Sequence, residues 1–234
     1  MLFQSYEFVF FLGCVITLFY LAPGKLRPVA LLAANLVFFC AAAPQTVVWL
    51  VITILTTYTC AVWIEKTENR KCRRWMAAGC IFLNLLLLAV FRYFPVWDVL
   101  INAMYGKGIR KVHLDIAGDW GLIAPLGISF YTMQAIGYLA DIASGKYHAE
   151  KNLLHFSVFI SFFPNLSSGP IERAEHFLPQ LKKISRMKRR KLLHYDRIMI
   201  GFVSILWGLF LKMVIADRAA ILVDHLYELY EYTD

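Results

Sequence analysis

Apolar residues fall in blocks about as long as a lipid bilayer is thick, and short polar loops separate these blocks. A spanning α-helix needs roughly 20 mostly apolar residues at about 1.5 Å rise per residue. The blocks lack the strict alternation of barrel strands, and otherwise only helices can span lipid. The pattern predicts an all-α integral membrane protein, a multi-span helical bundle. The predicted spans are residues 5–22, 29–43, 46–64, 76–91, 121–139 and 198–216.

Three other segments depart from a plain spanning pattern. Residues 96–120 mix apolar and charged positions and predict an interfacial loop with one short helix. Residues 217–234 place Leu222, Leu226 and Leu229 on one helical face, which predicts an amphipathic helix at the membrane interface. The third segment, residues 153–170, has a short apolar run that a polar stretch with two prolines interrupts.

The distribution of basic residues indicates the topology. Lys and Arg are concentrated in the loops at 25–27 and 65–74, which predicts that both are cytoplasmic and that the N-terminus faces outward. Residues 172–197 contain nine Lys or Arg against three acids. If residues 153–170 crossed the membrane, this most basic segment would lie outside. We therefore predict that 153–170 is re-entrant, with its polar part, 164–170, facing an internal cavity.

Composition supports one membrane domain, residues 1–234. Of 234 residues, 59% are hydrophobic and 17% are charged, whereas a soluble domain has about 25% charged residues. The net charge of +8 lies mainly in short loops, which favours contact with anionic lipid headgroups over nucleic-acid binding. No Lys or Arg precedes residue 25, so the first block is interpreted as a retained span and not as a signal peptide. The five cysteines lack metal-type spacing, and no metal site is predicted.

Polar residues within or beside the apolar segments are the candidate site. Such groups are costly at membrane depth and usually face a bundle interior or a substrate path. For Ser129 and Thr132, simple hydrogen bonding between helices is the favoured interpretation, whereas for 165–173 function is favoured because a broken helix needs a reason. Arg173 could pair with Glu172 or bind an anionic group, and the sequence leaves both open. The candidate tunnel residues are Ser129, Tyr131, Gln134, Asn165, Ser168, Gly169, Pro170 and Arg173.

No catalytic residue is assigned from the sequence. Of the six histidines, only His155 lies within an apolar segment. Because His155 opens that segment, a position facing the lipid headgroups explains it more simply than a role as general base. The serine-hydrolase elbow, the H-E-x-x-H zinc motif, the Walker loop and the dinucleotide glycine pattern do not occur in the sequence.

Several motifs occur in an order and spacing that resemble the membrane-bound O-acyltransferase family, closest to its bacterial alginate O-acetyltransferase-like branch. The resemblance covers about residues 125–218, and the N-terminal spans fit it in hydropathy only. The motifs are ISFYTMQA at 128–135, YLAD at 138–141, FFPNL at 162–166, GPIER at 169–173 and WGLFLKMVIADR at 207–218.

The resemblance implies a funnel of helices in the bacterial cytoplasmic membrane. An acyl group, expected to be acetyl, would pass from a cytoplasmic thioester donor or carrier protein to hydroxyls of an extracytoplasmic polymer such as alginate or peptidoglycan. The donor would be a substrate, with no bound cofactor. Family members are about twice as long, and their essential histidine lies well downstream of the GPIER motif. We therefore expect this chain to be the N-terminal half of the enzyme, with the catalytic histidine beyond residue 234.

Two other classes of function compete with an acyltransferase. One is a catalytically inactive membrane scaffold or remnant that binds an acyl carrier or an export partner. The other is a small transporter, which would need paired discontinuous helices, and the sequence has one broken segment without a counterpart.

The re-entrant topology predicts that residues 65–74 and 174–187 lie on the same, cytoplasmic side. In a background with the other four cysteines replaced by alanine, Cys72 and a Lys183→Cys variant should react with an impermeant maleimide only after spheroplasts are permeabilised. Labelling of Lys183→Cys in intact spheroplasts, with Cys72 still protected, would show that residues 153–170 cross the membrane.

Overall fold

The computed structural model describes residues 6–104, 125–166, 169–187 and 195–231, with side chains described except at 92–104, 224, 226 and 228–231. Within these ranges the regular structure is helical, without a β-strand. The α-helices are α1 (Tyr6–Leu21), α2 (Arg27–Ala42), α3 (Val47–Lys66), α4 (Arg70–Met104), α5 (Ile128–Ser144), α6 (Leu153–Ser161), α7 (Ala174–Arg186), α8 (Tyr195–Phe210) and α9 (Asp217–Glu231).

The all-α membrane fold is confirmed. Within the described part of the chain, four helical segments are long and apolar enough to cross a bilayer: Gly24–Ala42, Pro44–Lys66, Arg70–Phe91 and Tyr195–Val223. Helix α1 is also apolar, and its 16 residues extend over roughly 24 Å. The predicted spans at 5–22, 29–43, 46–64, 76–91 and 198–216 therefore coincide with helices.

Helix α4 is longer than the sequence pattern indicated. It has 35 residues, so the polar loop expected at 65–74 shrinks to 67–69. That expectation was wrong because Lys, Arg, Trp and Met are compatible with helical geometry, and charge alone does not end a helix. Residues 96–104, where a loop with one short helix was expected, continue α4. Residues 105–120 of that expected loop lie outside the described residues.

The fifth predicted span begins later than its hydropathy indicated. Helix α5 starts at Ile128 after Gly127, whose φ of 68° lies in the left-handed region that favours glycine. A side chain at this glycine would collide with the backbone and side chain of Leu166. The helix then continues to Ser144 and ends at Gly145, which has a φ of 78°.

Contacts divide the chain into two compact units, Met1–Met187 and Lys188–Asp234. In the first unit, α3 packs against both α4 and α5, while α2 packs against α1, α6 and α7. Aromatic rings at Tyr138, Phe156 and Phe159 form the centre of the main core. A second cluster joins Phe8, Phe38 and Phe163. Whether both units form the single domain predicted for 1–234 stays a prediction.

In the second unit, the described residues 195–231 form a continuous run of helical structure. Between α8 and α9, residues Leu211–Ala216 adopt π-helical geometry, and Lys212 Nζ pairs with Asp217 Oδ1 at 2.7 Å. The predicted helix after residue 217 is present as α9. Its amphipathic face stays a prediction, because the side chains of Leu226 and Leu229 lie outside the described residues.

Asn35 fastens the middle of α2 to the end of α6. Its amide Nδ2 donates to Ser161 Oγ at 2.9 Å, and its Oδ1 accepts from the backbone N–H of Phe163 at 3.2 Å. The Asn35 side chain is fully buried. A single polar side chain in an apolar helix thus provides partners for the backbone where α6 ends.

Helix α7 contacts Gly24, in the turn before α2, and Arg27, the first residue of α2. The buried Arg27 guanidinium donates from Nη1 to the carbonyl oxygens of Ile184 and Met187, each at 2.8 Å. These carbonyls belong to the C-terminal end of α7, where a cation is electrostatically favoured. Gly24 permits the close approach, because a Cβ there would lie 2.5 Å from the carbonyl oxygen of Ser185.

Replacing Asn35 with leucine should lower the free energy of unfolding in micelles by about 1–2 kcal/mol, because the N–H of Phe163 loses its partner. Asn84→Leu is the matched control, since buried Asn84 bonds only to the carbonyl of Cys80 in its own helix. Titration with a denaturing detergent measures both variants. Equal losses for Asn35→Leu and Asn84→Leu would contradict the proposed role of Asn35.

Candidate functional site

The site is built around the described residues between α6 and α7, 162–166 and 169–173, which lie outside α-helix and which we call the break. Helix α6 before it has only nine residues, roughly 14 Å, against about 30 Å of bilayer hydrocarbon. Within the break, Phe163–Asn165 forms a single 3₁₀ turn. A short helix followed by non-helical chain fits the re-entrant segment expected at 153–170, whose position in the bilayer stays a prediction.

A larger cavity of about 520 Å³ lies on one side of the break, between α1, α2 and α7. Its walls are mostly apolar, with three polar residues, Asn165, Glu172 and Gln180, among the fifteen that line it. The remaining lining residues are Leu12, Val15, Ile16, Phe19, Tyr20, Leu31, Phe162, Phe163, Pro164, Phe177, Leu181 and Ile184.

A smaller cavity of about 320 Å³ lies on the other side, between α5 and the break. The Arg173 guanidinium faces the Asp141 carboxylate there, with 3.7 Å between Nη1 and Oδ1. Arg173 therefore pairs with Asp141, a partner outside the two alternatives that the sequence left open. The lining residues are Gln134, Gly137, Tyr138, Ala140, Asp141, Ile171, Glu172, Arg173 and Ala174. Since Glu172 lines both cavities, the break forms the wall between them.

The structure brings several predicted site residues together around these cavities. Gln134 and Arg173 line the smaller cavity, and Asn165 lines the larger one. Buried Gln134 also donates from Nε2 to the carbonyl of Phe159 at 3.1 Å, which fixes α5 against α6. Gly169 packs on Asn165, because a Cβ at Gly169 would lie 2.5 Å from the Asn165 Cα. Pro170 follows as an exposed residue of the break.

Two predicted residues are placed away from the cavities, and a third is not described. Ser129 and Tyr131 lie in the first turns of α5 and are not among the residues that line either cavity. Tyr131 is fully buried, and its hydroxyl has no hydrogen-bond partner among the described residues. Ser168 lies outside the described residues.

The predicted site omitted a buried ion pair beside the smaller cavity. Lys182 Nζ of α7 lies 2.6 Å from Oε2 of Glu150, whose side chain is almost completely buried. The backbone N–H of Glu150 donates to the hydroxyl of Tyr138, a residue of the smaller cavity, at 2.8 Å. Burial, together with Glu150 and Glu175, raises the pKa of Tyr147 in the same loop. The sequence offered no signal for this pairing, because its partners are 32 positions apart.

The arrangement can bind and orient a polar ligand. An amide, a guanidinium and two carboxylates line the smaller cavity, at Gln134, Arg173, Asp141 and Glu172. Among the described residues, groups of three His, Cys, Asp or Glu side chains able to hold a metal ion are absent. His155 is half-buried at the start of α6 and does not appear among the lining residues of either cavity.

Known proteins similar to this chain are O-acyltransferases of the bacterial envelope. A probable alginate O-acetylase of Pseudomonas syringae is 30% identical over 98% of this chain. A peptidoglycan O-acetyltransferase of Helicobacter pylori is 29% identical over 96% of the chain. A teichoic acid D-alanyltransferase of Lacticaseibacillus rhamnosus is 32% identical over 33% of the chain. No family model matches the sequence, and no solved structure matches the chain.

These matches confirm the resemblance to the membrane-bound O-acyltransferase family and to its alginate O-acetyltransferase-like branch. The similarity extends over nearly the whole chain, including the N-terminal spans that fitted the family in hydropathy only. The chain spans less than half the length of these relatives, 42% of the alginate O-acetylase and 46% of the peptidoglycan enzyme.

Replacing Lys182 with methionine should lower the free energy of unfolding by about 3 kcal/mol, since it leaves the Glu150 carboxylate buried without its cation. This value is at the low end for a buried pair because Lys182 reaches solvent. Lys183→Met, on an exposed neighbour, should stay within about 0.5 kcal/mol of the parent protein. Detergent titration of both variants measures the difference, and a Lys182→Met variant as stable as Lys183→Met would refute the role of the pair.

Proposed function

We propose that this chain forms part of a membrane-bound O-acyltransferase of the bacterial cytoplasmic membrane. It would transfer an acyl group, most simply acetyl, to hydroxyls of an extracytoplasmic polysaccharide or another cell-envelope polymer. The observation that carries the proposal is the similarity of nearly the whole chain to proteins named alginate O-acetylase and peptidoglycan O-acetyltransferase. Which polymer accepts the group is a further part of the proposal, because these two relatives are named for different polymers.

The break supports this function through its geometry. A transfer across a membrane needs a polar path inside the protein, and irregular backbone at membrane depth is tolerated where it lines such a path. The smaller cavity combines the break with four polar side chains, Gln134, Asp141, Glu172 and Arg173. We assign these residues to binding and orienting the acyl donor, a thioester or a carrier protein, and not to proton transfer.

Arg173 is the residue in the smaller cavity best suited to a negatively charged part of the donor. Its side chain is 63% exposed, and the Asp141 carboxylate at 3.7 Å is beyond hydrogen-bond distance. A phosphate or carboxylate could therefore displace Asp141 at small cost and gain bidentate hydrogen bonds from the guanidinium.

Gly169 gives the most direct test of the break. Gly169→Leu should reduce transfer by about 100-fold while leaving membrane insertion intact, because the new side chain displaces Asn165 and misplaces the wall of both cavities. Gly79→Leu is the control, since a Cβ at Gly79 of α4 meets no atom within 4 Å. The assay is the O-acetyl content of the envelope polymer in cells whose gene carries each variant in place.

The outcomes separate the competing functions. Loss of acetylation in Gly169→Leu, with Gly79→Leu unchanged and both proteins present in the membrane, supports transfer along the break. Unchanged acetylation in cells that lack the gene would overturn the enzyme proposal and favour a membrane scaffold that binds an acyl carrier or an export partner.

A further inference from the structure

The larger cavity has two mostly apolar walls of similar length, one on α1 and one on α7. On α1, five lining residues from Leu12 to Tyr20 follow a spacing of three and four, so they share one helical face about 12 Å long. On α7, the lining residues from Phe177 to Ile184 follow the same spacing over roughly 10 Å. Ile16 is 43% exposed, so the cavity is open to its surroundings along α1.

The two ends of this cavity differ in charge. At one end, Tyr20 and Ile184 lie beside the contact between Gly24 and Ser185. The exposed cations Lys25 and Arg186 directly follow these two residues in the sequence, so their backbones are close to each other. At the other end, Glu172 belongs to the break, whose Phe163 ring packs against Phe8 and Phe11 in the first turns of α1. An anionic headgroup is therefore favoured only at the end with Lys25 and Arg186.

We propose that the larger cavity binds one anionic phospholipid of the surrounding bilayer. One acyl chain lies between α1 and α7, and the phosphate is held at Lys25 and Arg186. The occupant follows from three features: walls that suit a hydrocarbon chain, an opening along a membrane helix, and cations confined to one end. Cations at a membrane surface attract anionic lipids by about 1 kcal/mol each. This inference does not rest on the proposed transferase function.

Native mass spectrometry of the full chain in micelles tests the headgroup part of the proposal. The parent protein should retain one phosphatidylglycerol in preference to phosphatidylcholine with the same acyl chains. Lys25→Gln and Arg186→Gln should each weaken phosphatidylglycerol binding about fivefold, the equivalent of one surface charge. Lys66→Gln, on an exposed cation at the end of α3, should leave binding unchanged.

Filling the cavity tests the acyl-chain part. Val15→Trp should abolish retention of both lipids, whereas Leu21→Trp, on the opposite and exposed face of α1, should not. Ile16→Trp is the second variant in case Val15→Trp does not yield a monodisperse protein. Equal retention of the two lipids, an effect of Lys66→Gln as large as that of Lys25→Gln, or full binding in both tryptophan variants of the cavity would overturn the proposal.

Discussion

Backbone groups that leave helical geometry among apolar helices must find their hydrogen-bond partners within the protein, because lipid offers none. The chain meets this requirement at the end of α6 with Asn35. Its amide donates to the hydroxyl of Ser161 and accepts from the backbone N–H of Phe163. These two hydrogen bonds hold α2 beside the start of the break.

Close packing then fixes the course of the break. Gly127 lets the start of α5 approach Leu166, and Gly169 lets the chain fold back on Asn165. Beyond the break, α7 is held at one end by Arg27 and along its length by the pair between Lys182 and Glu150. The helices on either side of the break, α6 and α7, are both held in place. The break can therefore separate a polar cavity from an apolar one although its described residues form no α-helix.

The two cavities suit different ligands. The smaller one is lined by an amide, a guanidinium and two carboxylates, which suits a polar ligand, whereas the larger one has the dimensions and mostly apolar walls of a site for a hydrocarbon chain. The apolar cavity would take its ligand, the acyl chain of a phospholipid, from the surrounding bilayer.

Hydropathy and charge predicted the membrane-spanning helices and the irregular segment near 164–170, because both depend on local composition. They also selected Gln134, Asn165 and Arg173, since polar residues in apolar segments stand out. The partner of Arg173 and the pairing of Glu150 with Lys182 depend on which helices are neighbours, and periodicity does not carry that information. Asn35 could have been found by the same reasoning as Gln134, as a lone amide within an apolar span. The length of α4 was missed because charged residues were taken as a loop.

The central claim is that the break lines a wet cavity inside the membrane domain, and solvent access to single cysteines tests it most directly. In a background without native cysteines, cysteine at Gly137 or Ile171, which both line the smaller cavity, should react with a small, charged thiosulfonate reagent. Cysteine at Leu86, an exposed apolar position of the spanning part of α4, should not. If the cysteines at Gly137 and Ile171 prove as unreactive as the one at Leu86, the smaller cavity is dry and the break does not line a polar path.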